Sequence, residues 1–169
     1  MMMSKPEDLN NLYVDELKDL WSANDQMQRV LKAITPSASD KKLIEMLQRS
    51  QEGISKHTEL LKELLAAAGK EVEKEHCKGM EGLVKEATKH VLEEGPDKGP
   101  ALDAVIITQY QRMTHYGIAG FGTAASFAGT LGRKDDEERL KQATNDMYSG
   151  DAFMTKLAET CVNIQAKEA

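Results

Sequence analysis

Aromatic side chains are scarce, at 5% of 169 residues, and proline occurs only four times. Sheet cores lean on aromatic and β-branched residues, so this scarcity, together with nine methionines, favours helices. Cysteine occurs twice, at Cys77 and Cys161, which is no disulfide framework. Basic excess is missing as well. The net charge is −6, which argues against binding nucleic acid or docking to an anionic membrane. No stretch approaches the roughly 20 apolar residues of a membrane span. The first residues, Met1 to Leu9, include no apolar run of signal-peptide length. The expectation is one cytoplasmic domain over residues 1–169.

What is present is helical periodicity. The predicted first helix runs from Pro6 to Ile34, with Ser4 as its cap and an inner stripe of Leu9, Tyr13, Leu17, Leu20, Asn24, Met27, Leu31 and Ile34. The second begins at Ser39 or Asp40 and stops at Gly69, with Leu43, Leu47, Ser50, Ile54, His57, Leu61 and Leu64 inside. A shorter third helix covers about His76 to Glu94, before the turn Gly95-Pro96-Asp97-Lys98-Gly99-Pro100. The fourth spans about Ala101 to Leu131, and Gly132 ends it. The fifth spans about Asp135 to Gln165, with a stripe that ends Met154, Leu157, Cys161, Ile164. Four long helices with a short one in the long connection between pairs predict an all-α, ferritin-like four-helix bundle.

Each long helix interrupts its apolar stripe near the middle. The interruptions are Asn24; Ser50 with His57; Gln109 and Gly117 with Thr114 beside them; and Gly150, flanked by Asp146 and Asp151. A mid-helix glycine costs about 1 kcal/mol against alanine, so Gly117, Gly120, Gly122 and Gly129 point to close helix approaches. Helices of similar length put these positions at one height, a polar waist. In ferritin-like metal proteins the waist holds four glutamates and two histidines that bridge two irons.

Three stretches carry a more specific likeness. Cys77-Lys-Gly-Met80-Glu-Gly82-Leu83-Val-Lys-Glu86 resembles the Cys-x-x-Met-x-Gly-Leu-x-x-Glu signature of the YciE/YciF family, bacterial ferritin-like proteins associated with stress. His115-Tyr116-Gly117-Ile118-Ala119-Gly120-Phe121-Gly122-Thr123 is similar to that family's His-Tyr-Glu-Ile-Ala-x-Tyr-Gly-Thr, and Leu17 to Gln26 resembles its Leu-x-Asp-Leu-Tyr-x-Ala-Glu-x-Gln. The resemblance implies a di-metal centre, yet this chain departs from the pattern at that centre. Asn24, Ser50, Thr114, Gly117 and Met147 stand where the resemblance leads one to expect acids. Amide, hydroxyl and thioether groups do not supply the negative charge that two hard or borderline ions need. The implied centre is degenerate, with no cofactor expected and a structural or binding role for the bundle.

The competing reading is an iron or manganese oxidoreductase, or an iron-handling protein, with a shifted ligand set of Glu52, His57, His115, Asp146 and Asp151. Against it, His57 reads as a core histidine bonded across the bundle, and His115 as a packed ring. His76 and Cys77 are neighbours and point about 100° apart on a helix, which makes a poor chelate. Trp21, Tyr110 and Tyr116 read as bundle packing with polar edges. A third reading has the glycines opening a small apolar cavity for an unknown ligand between the fourth and fifth helices. Association into a homodimer is expected from the long flat faces of such a bundle.

Overall fold

The computed structural model describes residues 5–169. Among them the elements are α1 (Leu9–Ile34), a 3-10 turn (Thr35–Ser37), α2 (Lys41–Ala67), α3 (Lys78–Thr88), α4 (Pro100–Thr130), α5 (Lys134–Leu157) and α6 (Asn163–Glu168). No strand occurs among the described residues. Ser4 lies outside the described residues. The cap of α1 is Asp8, whose carboxylate accepts from the Asn11 N–H at 2.8 Å, so α1 starts at Leu9 and not at Pro6. Asp40 caps α2 in the same way through Leu43 N–H. Gly69 and Gly132 follow α2 and α4 with φ of +69° and +77°, the left-handed conformation that ends a helix cheaply only at glycine.

Pairings along the chain settle the topology. Ser39 bonds to Asp103 and Ser50 to Tyr110, so α2 and α4 rise together. Asp40 lies near Cys161 and His57 meets Asp146, so α2 and α5 run opposite ways. Two parallel helices demand a long crossover, and residues 68–99 supply it. Its first part runs along α1, tied by Glu75 N–H to Lys18 O and by the pairs Lys18–Glu73 and Lys74–Asp25. Its second part is α3, which packs across α1 and α4. This is the ferritin-like arrangement.

Most inner-stripe positions are buried as their spacing predicts, Leu9, Phe127, Leu131 and Met147 only in part, and the far end of the α5 stripe departs from it. α5 passes through a π turn at Ala158–Val162, and α3 ends in another at Lys89–Glu93. A π turn inserts one residue into the helical count. After Leu157 the inner position is therefore taken by Val162, fully buried, while Cys161 is only half-buried and Ile164 is 50% exposed. The predicted end of that stripe is thus corrected by one residue.

The apolar core divides into two clusters. One gathers Met27, Leu31, Ile106 and Met154 toward the 3-10 turn; the other gathers Tyr13, Leu17, Leu61, Phe121 and Leu140 toward the α4–α5 turn. The interrupted positions lie between them.

Candidate functional site

The waist is a cavity of about 770 Å³, open to solvent along the seam between α2 and α5. That seam is the loosest of the bundle, whereas α4 and α5 pack most tightly. A cavity between α4 and α5 was expected; the structure puts its mouth at α2 and α5 and makes α1 and α4 its floor. All five positions where acids were looked for, Asn24, Ser50, Thr114, Gly117 and Met147, line it. At the height of the waist, the helix register inferred from the stripes therefore holds in all four long helices.

Polar groups of the floor bond to one another. Asn24 Nδ2 donates to Thr58 Oγ1 at 3.2 Å, and Thr58 Oγ1 donates to Ile54 O at 2.8 Å. Ser50 Oγ and Tyr110 OH share a hydrogen bond of 2.9 Å. Burial pushes the Tyr110 phenol above its ordinary range, and the Ser50 bond opposes that shift only in part. Thr114 Oγ1 is the exception: it is buried and makes no hydrogen bond of ordinary geometry, with the Tyr110 phenol only a weak neighbour.

Glycines shape two of the walls. A Cβ on Gly117 would lie 2.8 Å from Met147 Sδ. A Cβ on Gly150 would lie 2.9 Å from Tyr110 OH and 3.0 Å from Met46 Cε. Close approach was the expected reason for glycines inside α4, and at Gly117, Gly120 and Gly129 it holds. At Gly122 nothing stands within 4 Å, so that glycine has no such reason.

The ionisable candidates do not gather. His57 Nε2 sits 3.2 Å from Asp146 Oδ2, with its ring tilted against Phe121 at 5.6 Å. His115 Nε2 pairs with Asp151 Oδ2 at 3.0 Å, and neither residue lines the cavity. Glu52 lines the cavity but is exposed. Among the described residues no three His, Cys, Asp or Glu side chains are grouped to hold a metal ion. A pair of iron or manganese ions needs several anionic donors, and the floor offers an amide, hydroxyls and thioethers. The residues present do not fit that group.

The motifs meet elsewhere, in a node that sequence reasoning missed. Cys77 is the N-cap of α3, its sulfur accepting from Met80 N–H at 3.3 Å. Its own N–H donates to Ser22 Oγ at 2.9 Å, and its carbonyl accepts from Gln26 Nε2 at 2.9 Å. The thiol donates to Tyr116 OH at 2.9 Å, and Tyr116 donates on to Asp19 Oδ2 at 2.7 Å. Burial raises the thiol above its usual range, and with Cys77 only 1% exposed the geometry gives it the role of a capping group. Gly79 leaves room for the Tyr116 ring, since a Cβ there would lie 2.7 Å from it. All three resembling stretches contribute to this node, which docks α3 on α1 and α4. The signal was present, because Asp19, Cys77 and Tyr116 each belong to a recognised stretch, but their mutual contact is long-range.

Four long helices, a crossover carrying a short one and a mid-bundle waist define a ferritin-like helical bundle. The family model described as "Domain of unknown function (DUF892)" matches residues 8–167, and the chain belongs to that family. It is 28% identical over 160 residues to protein YciF of Escherichia coli strain K12, covering 94% of this chain and 95% of that one. The crystal structure of the E. coli stress protein YciF matches with a TM-score of 0.85 at 27% identity, covering 93% of this chain and 98% of the other. YcfI of Rhodopseudomonas palustris, a candidate structural protein, matches with a TM-score of 0.85 at 26% identity over 92% of this chain and 98% of that one. The YciE/YciF resemblance is thereby shown. Among the described residues no helix is long and apolar enough to cross a membrane.

Proposed function

We propose that this protein is a YciE/YciF-type bundle whose di-metal site has degenerated, and that it serves a structural or binding role in the cytoplasm under stress, as a homodimer and without nucleic acid or membrane as partner. The observation that carries this reading is the chemistry of the waist. Its lining includes Asn24, Ser50, Thr114, Gly117 and Met147, and the His57 and Asp146 side chains at its mouth already satisfy each other. The association with stress rests on the likeness to the E. coli stress protein. The structural role accords with the description of the Rhodopseudomonas relative.

Metal content tests the reading. The protein is loaded anaerobically with excess Fe(II), Mn(II) or Zn(II), desalted, and measured by mass spectrometry. Stoichiometry far below one ion per chain is the expected result. One or two ions per chain would favour an iron or manganese oxidoreductase or iron-handling protein. That reading draws on Glu52, His57 and Asp146 lining one cavity. Under it, His57→Ala or Asp146→Ala abolishes uptake.

A further inference from the structure

We propose that the waist cavity binds a neutral amphiphile, a hydrocarbon body carrying one hydroxyl or carbonyl group. The proposal rests on the reading that no di-metal centre occupies the waist.

Four observations converge on this ligand class. The cavity, about 770 Å³, falls within the range of small-molecule sites. Six methionines lie beyond the first three residues, and five of them line this one space: Met27 from α1, Met46 from α2, Met80 from α3, Met113 from α4 and Met147 from α5. Unbranched, polarizable thioethers mould to an apolar body of variable shape, which is how promiscuous apolar sites are built. Thr114 Oγ1 lines the same cavity, is 3% exposed as a residue, and makes no hydrogen bond of ordinary geometry, having only the nearby Tyr110 phenol as a weak partner. A buried hydroxyl left unpaired is costly, and a hydroxyl or carbonyl on the ligand removes that cost. The charged side chains that line the cavity are the cations Arg49 and Lys56 and the anions Glu52 and Asp146. These four charges sum to zero, so no excess of one sign offsets the desolvation of a charged head, and the preferred head is neutral.

The test uses the full chain labelled with ¹³C at the methionine methyls, with a chelator present. It is titrated with 1-octanol, octanoate and octylamine, which share one body and differ in head charge. With 1-octanol, the methyls of Met27, Met46, Met80, Met113 and Met147 should shift saturably. Met154, fully buried outside the cavity, should not. The charged analogues should bind about tenfold more weakly or worse. Thr114→Val preserves shape and should lower octanol affinity by about tenfold. Absence of saturable shifts, equal response at Met154, equal binding of octanoate or octylamine, or an unchanged Thr114→Val affinity would overturn the proposal. The metal-loading measurement is scored separately. A protein that retains metal defeats the underlying reading, while one that holds neither metal nor octanol defeats this proposal alone.

Discussion

The Glu16 carboxyl sits where α1 meets α4, with Oε1 3.0 Å from where a Cβ on Gly120 would be. Burial, and then the nearby Asp19 carboxylate, pushes it from 4.5 up to about 7. Between those two values the unfolded chain ionises while the folded chain still holds its proton. Glu16 therefore contributes stability that is complete below 4.5 and is lost as the pH rises through about 7. Glu16→Gln should flatten the fall of Tm across that window. A carboxyl ¹³C titration should place the Glu16 midpoint near 7, and a midpoint at an ordinary glutamate value would refute the assignment. The sequence around Glu16 shows only the smaller cause, Asp19 one turn on; the burial that dominates the shift comes from tertiary packing. Asn24 and Ser50 were legible, since each breaks an apolar stripe at a helical step. Thr58, Asn24's partner, stands one position off that stripe and so escaped notice.

Among the elements, α3 is the most instructive. Its Cys-x-x-Met opening invites a chemical reading, yet the geometry makes Cys77 a helix cap. Loss of a cap costs about 1 kcal/mol. Cys77→Ala should lower the urea midpoint by that order, and Cys77→Ser, which keeps an acceptor, should lose distinctly less. Equal losses would mean that the sulfur only fills space. The start of α1 and the end of α5 show where periodicity falls short. Pro6 is compatible with a first turn, but Asp8 is the residue that reaches a free N–H. At Ala158–Val162 the backbone adds a residue within a turn, and no 3-and-4 spacing rule registers that insertion.

At the scale of the whole molecule, Phe153 of α5 is 41% exposed and lines the open α2–α5 seam. Large apolar side chains at a long flat face suit a self-complementary contact. Light scattering should return twice the chain mass of 18.7 kDa, and Phe153→Asp should shift it toward one chain. A monomer across the accessible concentration range would count against the dimer.

The sequence alone determined the helical class, the five segments, and the height at which the core turns polar. Those properties follow from local spacing, which a single helix expresses without its neighbours. The tertiary structure decided the rest. It set which seam stays open, that His57–Asp146 and His115–Asp151 remain separate pairs, that the recognised stretches join in a capping node, and that methionines from five helices surround one space. Each of these depends on the distance between residues far apart in the chain. That distance is set by how glycines, methionines and buried polar pairs let four helices approach, a balance no single helix contains.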